Sequence, residues 1–67
     1  MDVKNEIGET AGAIWRVLSS DGPQTQVQLR KKLGTRSELL NLAVGWLARE
    51  GKIEITQEKK TYRVRLK

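Results

Sequence analysis

At Gly51 the apolar spacing of this chain changes, and the change divides the sequence into two kinds of structure. Before it, apolar residues recur every three or four positions, the repeat of helices that bury one face. After it they alternate. Ile53 and Ile55 interleave with Lys52, Glu54 and Thr56, and Tyr62, Val64 and Leu66 interleave with Arg63, Arg65 and Lys67. A period of two describes paired strands with a single apolar face. The class is therefore α+β, helices first and a hairpin last. With 67 residues the chain is expected to form one domain, residues 1–67, with a core so small that a partner surface would help it.

The helical part divides into three. Val3, Ile7, Ala11, Ile14 and Leu18 keep to one face, with Trp15 beside them, and Ser-Ser-Asp-Gly-Pro stops this first helix, so it spans about residues 2–20. Thr25 with Gln28 has the spacing of a capping box and opens a second helix at about 26–33, which Gly34 ends. Thr35 with Glu38 repeats that spacing and starts a third helix, about 36–50, with Gly51 as its stop. Only about two residues join the second and third helices, which forces an angled helix-turn-helix pair. The hairpin covers about 52–66. Its expected loop, Gln57 to Lys60, has neither Gly nor Asn, so a four-residue loop around a type I turn fits better than a two-residue turn. Pairing Thr56 with Thr61 then sets Ile55 opposite Tyr62, Glu54 opposite Arg63 and Ile53 opposite Val64.

The segment TQVQLRKKLGTRSELLNLAVGWLAREGKIEI resembles the second helix, turn, third helix and wing entry of the winged helix-turn-helix superfamily. Gly34 stands at the turn, Leu40, Val44 and Leu47 at the inward positions of the third helix, and Gly51 before an Ile-rich strand. The likeness covers about residues 7–66, and the whole chain is similar to small stand-alone bacterial winged-helix proteins, Bacteroides-type, of uncharacterised function. It implies three helices followed by a C-terminal β-hairpin wing. One position departs from the pattern: Arg30 stands where winged helices usually carry a small residue, so either its side chain runs outward along its stem or the helix pair packs differently.

The third helix is more apolar than a groove reader needs. On a wheel of 100° per residue, with Leu40 at the origin, Leu47, Val44 and Ala43 lie close by. Leu39, Trp46 and Leu42 extend the apolar arc to about 200°, against about 100° for an ordinary core-facing stripe. The remaining polar strip is Asn41, Gly45, Ala48 and Arg49. Base reading in the major groove calls for long donors and acceptors, and here only Asn41, with Arg36 and Ser37 near the helix start, offers them. Three accounts of Leu39, Leu42 and Trp46 stay open: core, a homodimer seam that would include Gly45, or a site for another protein or apolar ligand.

Charge points to the other candidate partner. Residues 1–23 carry Lys4 and Arg16 against Asp2, Glu6, Glu9 and Asp21, a balance of −2, whereas residues 24–67 carry eleven basic and four acidic side chains, which gives the chain its net +5. A basic C-terminal part fits double-stranded DNA. The candidate phosphate contacts are Arg30, Lys31 and Lys32 on the second helix, Arg36 and Ser37 at the start of the third, and Lys59, Lys60, Arg63 and Arg65 in the wing, with Asn41 as the one base-facing amide. Arg63 also has a plainer reading as the cross-strand partner of Glu54, and wing cations discourage edge pairing. The resemblance implies backbone-dominated DNA binding in the manner of a transcriptional regulator. The alternative is a protein-interaction or dimerisation module of the same fold without base-specific recognition.

Other classes are poorly served. The chain has no Cys and no His, so disulfides, thiolate metal sites and the commonest acid–base group are missing, and no metal or cofactor is expected. Ser19, Ser20 and Asp21 have no base beside them and read as a helix end. Single glycines form no phosphate-cradling loop, and an enzyme is not expected. No segment reads as a membrane span or a leader, which points to the reducing cytoplasm.

Overall fold

A computed structural model describes residues 2–67. The elements run α1 (Val3–Asp21), β1 (Gln24–Thr25), α2 (Gln26–Leu33), α3 (Ser37–Arg49), β2 (Ile53–Gln57) and β3 (Tyr62–Leu66). Three helices thus precede a C-terminal antiparallel hairpin, the α+β order that the spacing predicts and the winged arrangement that the resemblance implies. No helix is long and apolar enough to cross a membrane.

The helix ends follow local chemistry. Asp2 accepts from the Lys4 amide at 3.0 Å and caps α1. At α2 the capping box is complete: the Gln28 amide donates to Thr25 Oγ1 at 3.2 Å, and the Thr25 amide donates to Gln28 Oε1 at 2.8 Å. Gly34 closes α2 with φ 62°, in the left-handed region where a Cβ is penalised. The expected box at Thr35 and Glu38 does not form. Arg36 is the cap residue of α3 and makes no side-chain cap bond. Thr35 is one residue too early: with the cap at Arg36, the third helical position is Leu39, which has nothing to return.

The core joins one face of every helix to the hairpin. Ala11, Ile14 and Leu18 of α1 meet Leu29 of α2, Leu40, Ala43, Val44 and Leu47 of α3, and Ile53 and Val64 of the strands. Of the surplus apolar residues on α3, Leu39 is half-buried, but Leu42 and Trp46 are 51% and 49% exposed. The core account therefore fails for those two. Arg30 is exposed beside the fully buried Leu29, so its side chain runs outward.

The hairpin pairs two residues away from the expected register. Ile53 faces Leu66, Glu54 faces Arg65, Ile55 faces Val64, Thr56 faces Arg63 and Gln57 faces Tyr62. The loop is residues 58–61, closed by the Glu58 amide donating to the Thr61 carbonyl at 2.9 Å. A slip of two leaves every side chain on its original face, so alternation cannot choose between the registers. The ends choose. The expected register sets Lys52 against Arg65 and leaves Leu66 without an opposite strand residue. The observed one adds the Ile53–Leu66 pair, and the Lys67 amide extends the ladder to the Lys52 carbonyl at 3.1 Å. A third strand, β1, pairs with β3 at Val64 and Arg63, giving the order β1-β3-β2. Its two residues are too few to show any period in the sequence. Gln24 within it is 6% exposed and donates from Nε2 to the Pro23 carbonyl at 3.0 Å.

Candidate nucleic-acid interface

The wing is held to both helices of the turn at its loop end. Tyr62 Oη donates to Asn41 Oδ1 of α3 at 2.5 Å, and Thr61 Oγ1 comes within 3.5 Å of Gln26 Oε1 at the start of α2. Residues one turn apart on a helix share a flank. Arg30, a turn beyond Gln26, therefore lies on the flank of α2 that looks toward the wing loop. By the same rule Ser37 shares the Asn41 flank of α3. Lys59 and Lys60 occupy the exposed loop itself. These two contacts set the wing loop, which carries Lys59 and Lys60, beside α2 and α3, with Arg30 and Ser37 one helical turn from Gln26 and Asn41 and Arg36 just before α3.

The ten sequence candidates divide by their partners. Lys32 Nζ donates to Asp21 Oδ2 at 2.9 Å, on the side of α2 that meets the end of α1. That hydrogen bond, with the ammonium charge behind it, holds the Asp21 carboxyl below the usual carboxylate range. Arg63 pairs with Glu58 at 3.0 Å, and Arg65 pairs with Glu54. The expected Arg63–Glu54 pair is replaced because the register places Arg65 opposite Glu54. Arg30, Lys31, Arg36, Lys59 and Lys60 have no carboxylate within salt-bridge distance among the described residues. The free cations are thus on α2, the turn and the wing tip, while the outer face of the hairpin is largely neutralised. Exposed ion pairs are weak, so Arg63 and Arg65 stay exchangeable toward a phosphate.

Helix α3 presents two different flanks. One carries Asn41 against the wing. The other carries Trp46, which lines a groove of about 910 Å³ with Lys4, Asn5, Ile7, Gly8 and Glu9 of α1. The wing flank is poorly equipped to read bases. A bidentate contact to adenine needs both the carbonyl and the amino group of Asn41, and one of them is committed to Tyr62. The first turn of α3 is open in another sense: its N–H groups lack a side-chain cap, a setting that favours an anion, though Glu38 stands in the same turn.

The sequence marks Tyr62 only as an apolar-face strand residue, because nothing local distinguishes a latch to Asn41 from one more such residue. Burial pushes its phenol above the ordinary value of about 10. As the only tyrosine in the chain, it can be followed by phenolate absorbance alone. The folded phenol holds its proton more tightly than the unfolded one. Its contribution to stability is therefore complete below about pH 10 and is lost as pH rises through the folded-state ionisation. The ionisation midpoint should fall when urea unfolds the protein, and Tyr62→Phe should abolish the signal. A midpoint that ignores unfolding would show that the latch does not shield the ring.

With this geometry in place, the likenesses to known proteins can be set beside it. Residues 1–66 match the family described as a winged helix-turn-helix domain (DUF2582). Over 69 residues the chain is 39% identical to MJ1608, an uncharacterized protein of Methanocaldococcus jannaschii, with 98% of this chain and 97% of that one aligned. That relative is archaeal, whereas the sequence resemblance pointed to bacterial proteins. A solved chain from structural work on the DNA recognition and protein interaction domains of HOP2 superposes with a TM-score of 0.75. It is 24% identical and covers 87% of this chain and 98% of its own, a likeness of fold alone.

Proposed function

Because the chain belongs to the winged helix-turn-helix domain family, whose fold serves DNA binding or protein interaction, we propose that it binds double-stranded DNA through the phosphate backbone. The role is that of a small cytoplasmic regulator of transcription with little base reading by α3. The observation that carries this reading is the set of cations without carboxylate partners, Arg30 and Lys31 on α2, Arg36 at the turn, and Lys59 and Lys60 in the wing loop. Lys and Arg beside phosphates release condensed counterions, which drives binding without regard to sequence. Ser37, the open amides of the first turn of α3, and Asn41 add positioning contacts. HOP2, which shares the fold, is described by its DNA recognition and protein interaction domains, and that pairing of roles parallels the two flanks of α3 here. The test is an amide-resolved titration with random-sequence duplex at low salt. Shifts are expected at Arg30, Arg36, Ser37 and residues 58–62. A spectrum that ignores the duplex removes the proposal.

A second reading has its own observation. Leu42 and Trp46 are exposed apolar side chains on the flank of α3 away from the wing, next to the half-buried Leu39 and the exposed Gly45. We read them as a homodimer interface, a surface distinct from the DNA-facing turn and wing loop and compatible with them. Trp is favoured at interface cores, and a domain of this size gains much from burying surface between subunits.

A further inference from the structure

Resting on the homodimer reading above, we propose that two copies of this chain dock two-fold through the groove between Trp46 and the first turns of α1, with α1 antiparallel to α1. The groove is lined by Lys4, Asn5, Ile7, Gly8, Glu9 and Trp46. In an antiparallel crossing centred between Glu6 and Ile7, Lys4 of one copy faces Glu9 of the other, and Asn5 faces Gly8. All four of these residues line the groove, and Trp46 of α3 lines it on each copy.

Three features choose a second copy over other occupants. First, the rim carries both signs, Lys4 and Glu9, and neither makes a salt bridge to another described residue. A two-fold axis satisfies both charges at once, because an isologous contact repeats each pairing. Nucleic acid is a poor occupant here, since this stretch of α1 also carries Asp2 and Glu6. Second, Gly8 sits inside a helix, where glycine is a weaker former than alanine. A Cβ built there would meet nothing within 4 Å, so the chain's own packing does not require it. In the proposed crossing Gly8 faces Asn5 of the second copy, where the missing Cβ lets the two backbones approach closely. Third, Trp46 supplies a large aromatic side chain already half out of water.

The test is a charge-reversal set followed by sedimentation at tens of micromolar, with circular dichroism to verify folding. The wild type should be a dimer. Lys4→Glu alone and Glu9→Lys alone each place like charges at both symmetry-related contacts, and each should weaken the dimer by about tenfold or more. An equimolar mixture of the two variants should form heterodimers, and the double reversal should self-associate as the wild type does. Leu42→Ala with Trp46→Ala should give a folded monomer. A wild type that is monomeric at this concentration overturns the homodimer reading and this geometry together. A wild-type dimer indifferent to the single reversals, or a mixture that fails to recover, overturns the geometry and leaves the homodimer reading in place.

Discussion

Leu40→Ala is expected to bring the protein to the edge of unfolding. Leu40 is 0% exposed, at the centre of the cluster that joins α1, α3 and the strands. Removing a buried leucine side chain costs about 2–5 kcal/mol, because lost burial and the remaining cavity add. A domain of this size commands roughly 3–10 kcal/mol in all. The substitution therefore removes between a fifth and the whole of its stability, and the melting midpoint should drop by roughly 10 °C or more. Leu42→Ala is the control two residues along the same helix. Leu42 is half exposed, and at a concentration where the chain is monomeric its loss should cost within about 1 kcal/mol. Thermal melts of the two variants followed by circular dichroism decide the matter. Equal losses would contradict the division of α3 into a core face and an outer flank.

The second large effect concerns binding. Replacing Arg30, Arg36, Lys59 and Lys60 together by Gln should reduce affinity for random-sequence duplex by about three orders of magnitude near 0.1 M salt, since each phosphate contact releases most of one counterion. All four side chains are exposed and outside the core, so folding should be unaffected. Lys32→Gln provides the contrast. Its charge is engaged by Asp21 on the far side of α2, and its removal should change affinity only by the few-fold expected of a distant, screened charge. Fluorescence anisotropy with a labelled duplex measures both. If Lys32→Gln weakened binding as much as the four-residue variant does, the turn and the wing loop would not be where the backbone is held.

The core was legible in the sequence because burial imposes a period. Leu40, Val44 and Leu47 fall on the inward face of α3, and Gly34 and Gly51, which the spacing marks as helix stops, both take positive φ. What escaped the sequence shares one physical reason: no repeat encodes it. The two-residue register slip preserves both faces of the hairpin, so only the pairs at its ends discriminate. Strand β1 owes its existence to an open edge on β3 rather than to its own two residues. Thr35 and Glu38 have the spacing of a cap but not the backbone position. The candidate site reads in the sequence as a list of cations, and the sequence does not say where they sit. The Asn41–Tyr62 latch joins residues 21 apart in the chain, and the pairing of Lys32, Arg63 and Arg65 depends on a register and a helix packing that the sequence leaves open. The wheel sets Leu39, Leu42 and Trp46 outside the core stripe, and only the fold separates the half-buried Leu39 from its two exposed neighbours.

If the protein holds DNA by its phosphates, as proposed, its affinity must fall steeply with salt. The most direct measurement is the affinity of the wild type for random-sequence duplex across roughly 50–200 mM salt, where five cation–phosphate contacts give a log–log slope of about −4 to −5. That slope predicts a fall of a few hundred-fold across the range, with little change when the duplex sequence is altered. A flat salt dependence, or no binding at the low-salt end, would contradict it.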